Sequence, residues 1–288
     1  MIDRNTTALA RLALAEDLAG FGDLTSALTV PEGLRGVAEI EAREDLVVCG
    51  LPLAAAVMGE LEPESRFEAL IGDGRPAGRG EVVARLSGSV QAILGAERTM
   101  LNFLSHLSGI ATQSRRFAKA VEDLDVSVVD TRKTTPGLRA WEKRAVVYGG
   151  CKNHRFGLFD MILIKDNHLV AAGGVSAAIE CAKAGRPHSM KIEVEVENAE
   201  DLEEAIACGA DVIMLDNQDP ETLRDLVNFA RALRSVVLLE ASGGVSIDNV
   251  RAVAETGVDI ISTSALTMGA PAANLSLTLL DGAGKQNR

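Results

Sequence analysis

Between residues 130 and 168 the sequence gathers side chains suited to binding and moving charge. Arg132 and Lys133 directly follow the apolar run 126–130. His154 and Arg155 follow a glycine pair at 149–150, and Lys165 closes the run MILIKD at 161–166. The stretch holds eight Lys and Arg against four acids, inside a chain whose formal net charge is -12. Arginine grips planar carboxylates through a fork of N–H groups, and lysine adds a point charge. Arg132, His154, Arg155 and Lys165 are candidates to converge on one anion, with Lys133 beside them. That much charge suits two carboxylates or a diphosphate. For any one of these cations taken singly, a solvated surface position is the plain alternative.

Acids and hydroxyls follow in order. Glu195 and Asp216 end the runs 191–197 and 211–217, where carboxylates serve to hold sugar hydroxyls or share Mg2+ with a substrate's phosphates. The turn EASGG (240–244) supplies Ser242 and Gly243, and STSALT (262–267) supplies Thr263, Ser264 and Ala265. Both read as turns entering helices, where backbone N–H groups meet a phosphate. Lys165 also admits a second chemistry, as a Schiff-base nucleophile in an aldolase-like reaction. Cys151 has no evident base, His106 reads as structural, and Arg139, past Pro136 and Gly137, reads as a supporting residue. Arg98 has no role that pattern alone reveals.

These residues need a frame that brings strand ends together. Six apolar runs rich in β-branched residues recur at 126–130, 161–166, 191–197, 211–217, 236–244 and 258–267. Helical patterns separate them at 199–209, 220–234 and 246–257, the last with Ser246 as N-cap and Gly257 as stop. Strand and helix in alternation predict βαβ units and a parallel sheet. Polar residues at the C-terminal ends of six successive strands favour a barrel over an open sheet. Six strands make that barrel short of eight or irregular.

The first part reads as α+β. A helix over ALARLALAEDLAG precedes strands in RGVAEIEAREDLVVCG and EVVARLSGSVQAIL. A long helix follows over 95–123, interrupted near Gly109. The segment 273–280 has strand character and is expected to return to this lobe. The expected domains are an N-terminal lobe, 1–110, joined by the tail 271–288, and a barrel domain, 111–270.

Composition narrows the function classes. Net negative charge and 3% aromatic residues argue against nucleic-acid binding. The four cysteines form no C-x-x-C pair, so neither a zinc site nor a disulfide framework is expected, and the setting is cytoplasmic. No signal peptide and no membrane-spanning run is expected.

The motifs together resemble the quinolinate phosphoribosyltransferase family. The resemblance runs from EDLAGFGDLTS through ERTMLNFLSHLSGIAT and DTRKTTPGLR to NHR, LIKDNH, LDN, LEASGG and GVDIIS, in order over nearly the whole chain. It implies an irregular open α/β barrel of about seven strands with an N-terminal α/β sandwich lobe. It implies a pentosyltransferase that joins quinolinate to 5-phosphoribosyl-1-diphosphate with Mg2+, yielding nicotinate mononucleotide, diphosphate and CO2 in NAD biosynthesis. It implies a homodimer in which Arg98 reaches the partner's site. Quinolinate would meet Arg132, His154, Arg155 and Lys165, and Lys133 with Arg98 would meet the leaving diphosphate. Glu195 and Asp216 would hold the ribose hydroxyls and the metal's shell. Ser242, Gly243 and the turn 263–265 would hold the 5-phosphate, and Mg2+ would arrive mainly on the diphosphate. This chain departs from the family pattern at Cys151 and Ser264, where glycines are usual, and at Met268, where histidine is usual. A paralogue that only binds a related pyridine acid is the alternative that these departures raise.

Overall fold

The structure is a computed structural model that describes residues 4–233 and 236–280. The chain divides into two compact units. One takes the chain up to Gln113 and again from Ala270; the other is Ser114–Gly269.

The first unit opens with α1 (Arg4–Leu18) and α2 (Leu24–Thr29), the latter capped by the Asp23 side chain on the Ser26 amide. Then come β1 (Arg35–Ala42), β2 (Leu46–Val47), α3 (Leu51–Leu61), β3 (Arg66–Ala69), β4 (Pro76–Ala77) and β5 (Val82–Ser89). The C-terminal strand Leu275–Leu280, β1, β5 and β3 form one antiparallel sheet in that order, and β2 pairs with β4. Side chains alternate across a pleated strand, so Ala38, Ile40 and Ala42 of β1 are buried while Glu39 and Glu41 face out. Glu39 lies opposite Arg85 and pairs with it at 2.7 Å.

Helix α4 runs unbroken over Val90–Ala120, and the expected interruption at Gly109 is absent. The glycine is there for packing. A Cβ at 109 would collide with the Pro271 carbonyl, which passes against the helix. The helix also starts earlier than its sequence pattern suggests, taking up the VQAIL segment read there as strand, while Ser89 stays in β5.

The second unit alternates strand and helix: β6 (Ser127–Val129), α5 (Arg139–Gly149), β7 (Ile162–Ile164), α6 (Asp166–Ala172), α7 (Val175–Gly185), β8 (Ile192–Val196), α8 (Ala199–Ala207), β9 (Val212–Asp216), α9 (Pro220–Ala232), β10 (Leu238–Ser242), α10 (Val250–Ala254) and β11 (Ile260–Ser262). Each of the six expected strands is present. All pair in parallel, in the order β6-β11-β10-β9-β8-β7. Read as a ring, every strand neighbours the next in sequence, and the first joins the last. The ladder is open only between β6 and β7, where a single parallel bridge from Val129 to Lys152 takes the place of a seventh strand. This is an irregular open α/β barrel.

Helix α10 begins at Val250, later than the sequence suggests. Ser246 is not its cap; the stretch 246–249 is a turn in which Asn249 Oδ1 accepts the Ser246 amide. The end of the expected 220–234 helix lies outside the described residues. No described helix, α4 included, is both long and apolar enough to cross a membrane.

Candidate active site

Parallel partners share a face of the sheet. The register therefore sets Glu195, Met214, Glu240 and Ile260 in one row, and Asp216, Ser242, Ser262 and Val129 in the row nearer the strand ends. Met214, Asp216, Ser242 and Ser262 line a cavity of about 530 Å3, so these rows face the barrel interior. Its wall is completed by Thr131, Arg132, Lys133, His154, Arg155, Leu163, Lys165, Asn217, Gly243 and Gly244. In barrels of this kind, residues at the C-terminal strand ends build the site.

The cations are held there by named contacts. Asp130, at the exit of β6, and Lys143 of α5 form an ion pair at 2.5 Å with both side chains buried. Asp130 also accepts the His154 amide at 2.8 Å, and Lys143 donates to the His154 carbonyl at 3.1 Å. Burial pushes the Asp130 carboxyl up, and Lys143 opposes that shift. This pair fixes the loop that carries His154 and Arg155. Arg139 braces a second junction. It donates to Thr134 Oγ1 at 3.0 Å, to the Phe156 carbonyl at 3.2 Å and to the Arg132 carbonyl at 3.3 Å. The Lys133 carbonyl accepts the Thr267 hydroxyl at 2.8 Å. Lys165 sits at the N-cap of α6, its amide donating to His168 Nδ1 at 2.9 Å.

The electrostatics separate two groups. Lys165 is ion-paired with Glu195. Arg132, Lys133 and Arg155 have no carboxylate within salt-bridge distance among the described residues. Burial, and next the charge of Arg132, lower the affinity of Arg155 for its proton. Like charges held near one another without a salt-bridge partner make a receptor for an anion; Glu193 and Asp160 act on Arg155 only from longer range. Asp216 is raised by burial and by the neighbouring Glu195 charge. A cation or a hydroxyl donor brought by a ligand would relieve that pair.

Gly243 has φ +91°, and a Cβ there would strike the Asn217 side chain and come within 2.9 Å of its backbone N. Asn217 itself has φ +53° and donates its amide to the Ser242 carbonyl at 2.9 Å. The β9 and β10 exits are thus packed backbone to backbone, and only glycine fits at 243.

Of the residues singled out from sequence, Arg132, Lys133, His154, Arg155, Lys165, Asp216, Ser242 and Gly243 border this one cavity. Glu195 is buried beneath it, bonded to Lys165. Thr263, Ser264 and Ala265 lie outside the cavity wall. The Thr263 hydroxyl donates to the Val245 carbonyl at 2.7 Å and accepts the Ala265 amide, capping a 3-10 turn at Ser264–Leu266. Ser262, one residue earlier, faces inward instead. Its hydroxyl is buried and lacks a hydrogen-bond partner among the described residues. Arg98 is exposed on α4, where it borders a recess of about 220 Å3 with Glu16, Asp17 and Asn102. Cys151 is buried, its thiol donating to the Ser114 carbonyl at 3.2 Å, and burial pushes it up to about 12. Met268 is exposed.

Sequence reasoning missed three groups: the Asp130–Lys143 pair, the inward Ser262, and Glu193 with Glu240. His154 Nε2 lies 3.1 Å from Glu193 and 3.5 Å from Glu240, both buried. A signal for Glu193 was present in IEVEVE. Acids two apart on a strand share a face, so if Glu195 points inward, Glu193 does too.

Comparison with known proteins gives the same frame a lineage. Residues 23–108 match the model of the quinolinate phosphoribosyl transferase N-terminal domain, and residues 110–278 that of its C-terminal domain. A probable nicotinate-nucleotide pyrophosphorylase [carboxylating] from Synechocystis is 41% identical over 271 residues, covering 93% of this chain and 90% of that one. A tobacco (Nicotiana tabacum) quinolinate phosphoribosyltransferase [decarboxylating] is 36% identical over 284 residues, with coverage of 93% and 81%. The solved nicotinate-nucleotide pyrophosphorylase of Francisella tularensis superposes with a TM-score of 0.89 at 39% identity, covering 96% of each chain. Both domains, in order, with this identity over nearly the full length, place the chain in the quinolinate phosphoribosyl transferase family.

Proposed function

We infer that this chain is a pentosyltransferase that joins quinolinate to 5-phosphoribosyl-1-diphosphate, releasing diphosphate, CO2 and nicotinate mononucleotide for NAD biosynthesis. The observation that carries the reading is the cavity itself. An acidic protein sets Arg132, Lys133 and Arg155 around one space, none of them with a salt-bridge partner among the described residues. Quinolinate brings two carboxylates and the cosubstrate brings phosphates, and both need that charge.

The chemistry follows from the residue types. Arg132 and Arg155 orient quinolinate so that its ring nitrogen faces C1 of the sugar, and His154 stands at the same wall. The C1–O bond breaks as the C1–N bond forms, and diphosphate departs with the bonding electrons. Preorganised positive charge from Lys133 stabilises that departure. Mg2+ held by the substrate's phosphates would supply further charge neutralisation there. Glu195 and Asp216, a carboxylate pair at neighbouring strand ends, suit its water shell and the ribose hydroxyls. Ser242 and the main chain at Gly243 suit the 5-phosphate, joined by the inward Ser262. After transfer the ring nitrogen is cationic and accepts the electrons left when the adjacent carboxylate leaves as CO2. A proton from solvent then completes the nicotinate ring. Orientation and charge stabilisation suffice, without a covalent nucleophile.

Two further parts belong to the proposal. The working form is a homodimer in which Arg98, exposed on α4, enters the cavity of the other copy. The enzyme works in the cytoplasm, in keeping with cysteine spacings that suggest no disulfide framework. Mixing two inactive variants, Arg98→Ala and Lys165→Ala, tests the first part. Regained activity supports a shared site, and none overturns it.

The decisive assay supplies quinolinate, 5-phosphoribosyl-1-diphosphate and Mg2+ and follows nicotinate mononucleotide. Product that disappears on chelation of Mg2+ is the expected result; no product at high enzyme concentration refutes the function. The ion pair between Lys165 and Glu195 engages the side-chain nitrogen and disfavours a Schiff-base role. Borohydride trapping of a carbonyl compound on Lys165 would reverse that judgement.

A further inference from the structure

Glu193 and Glu240 come from non-adjacent strands, β8 and β10, and neither lines the cavity. Both are buried, and both point at the same imidazole. His154 Nε2 lies between them, at 3.1 and 3.5 Å. Neither oxygen of Glu193, nor Glu240 Oε1, has a hydrogen-bond partner of good geometry among the described residues, so Nε2 meets Glu193 as a close polar contact by distance. Two buried carboxylates are costly to keep unless something nearby compensates. The fold retains them beside the one cavity-lining histidine.

The other face of the ring decides what they do. His154 Nδ1 accepts the main-chain N–H of Arg155 at 2.7 Å. The ring's proton is therefore on Nε2, toward the carboxylates. Burial pushes Glu193 up, with His154 opposing. Within the barrel, Arg155 is the remaining charge that faces Glu193.

A metal ion is the competing occupant, since one ligand atom from each residue falls within 4.8 Å of the others. A metal-bound histidine donates its second ring N–H to an acceptor. Here Nδ1 faces a donor instead, so Nε2 has a proton to share rather than a lone pair to give.

We propose that Glu193 and Glu240 are positioning residues that clamp the His154 ring through Nε2–H and, through Nδ1, set the main chain of Arg155 in the anion pocket. The proposal rests on the functional reading above. It adds that quinolinate recognition depends on two carboxylates that never touch the substrate.

The test is a double-mutant cycle of Glu193→Gln and Glu240→Gln, each alone and each combined with His154→Asn. Each Gln variant keeps shape and loses charge. The expected result for each is a rise of about tenfold in quinolinate KM and Kd, a magnitude ordinary for a charged hydrogen bond. KM for 5-phosphoribosyl-1-diphosphate changes less, because the reading gives its phosphates to Lys133, Ser242 and Gly243 rather than to Arg155. In the His154→Asn background either Glu→Gln change adds nothing, because its route of action is gone. Full additivity there, or equal loss for both substrates, overturns the proposal. If one variant fails to fold, the other carries the same cycle. In protein with 15N-labelled histidine, four rings are to be assigned. The His154 signal is expected to show a protonated Nε2 that changes in both Gln variants and is indifferent to stoichiometric Zn2+ or Mn2+. A metal-induced shift of that signal overturns the clamp in favour of a metal centre. These ring spectra need no turnover. Inactive wild-type protein with the expected spectra would thus refute the function and leave the clamp standing.

Discussion

The two units of this chain use charge differently. On the first, ion pairs lie on the outside: Arg85 with Glu39, Arg43 with Glu41, Arg35 with Glu62, Arg11 with Glu60, each with a substantially exposed arginine. The second has outer pairs too, Arg251 with Asp123 and Lys183 with Glu180 among them, but there charge also goes inward. Asp130–Lys143 and the His154–Glu193–Glu240 group are buried, and Arg132, Lys133 and Arg155 stand at the cavity without a salt-bridge partner among the described residues. Exposed pairs add little to stability and keep a sheet face soluble. Buried or unneutralised charges cost stability, and a fold carries them where a ligand will use them. Position of charge, more than amount, marks the functional unit.

That contrast can be broken by experiment. Lys143→Met leaves Asp130 buried without its partner. It should cost about 3–5 kcal/mol, read as a fall in the denaturation midpoint, with site activity lost alongside. Asp130→Asn combined with Lys143→Met should recover part of the loss. Arg132→Ala should do the reverse: stability within about 0.5 kcal/mol, but quinolinate affinity weaker by roughly 10- to 150-fold, the worth of a charged hydrogen bond. A stability loss like that of Lys143→Met would show that Arg132 is structural. Gly243→Ala places a side chain at positive φ against Asn217. It should cost about 1–3 kcal/mol and raise KM for the phosphoribosyl substrate. Arg85→Ala on the outer pair should change stability by about 0.2–1 kcal/mol, measured by urea denaturation; a larger loss would erase the contrast. The smallest effect is chemical. A thiol raised to about 12 carries little thiolate at pH 8, so iodoacetamide should label the exposed Cys181 and spare Cys151. Early labelling of Cys151 in native protein would show that its burial is not maintained.

The strands of the barrel were legible because they are buried on both faces and read as unbroken apolar runs. Val212–Asp216 and Ile192–Val196 are clear cases. The cations at their exits were legible for the same reason: a strand end is visible where the apolar run stops. What the chain hides is non-local. Gly109 looks like a helix breaker and is a contact point for Pro271, whose position along the sequence gives no hint of it. Which residue of Ser262-Thr263-Ser264 faces inward depends on the register with β6 and β10, not on residue type. That Lys143 of α5 lies against Asp130 is set by packing between the helix and the β6 exit, not by residue type. The late start of α10 is hidden because Ser246 has the residue type of a cap, whereas Asn249 folds back on the Ser246 amide and the helix begins only after it.

The C-terminal strand has a consequence for how the molecule is made. It pairs with β1 from Val37↔Leu280 to Ala42↔Leu275, yet the entire barrel is encoded between the two. At a translation rate of about 5–20 residues per second, β1 leaves the ribosome roughly 10–50 s before its neighbour exists. For that interval one edge of the first sheet is open to any strand that meets it, whereas the barrel's own strands all emerge close together. The sheet is thus the last part to be completed although its first strand is among the earliest made. A ribosome stalled just before residue 275 should display a protease-sensitive first unit beside a protected barrel.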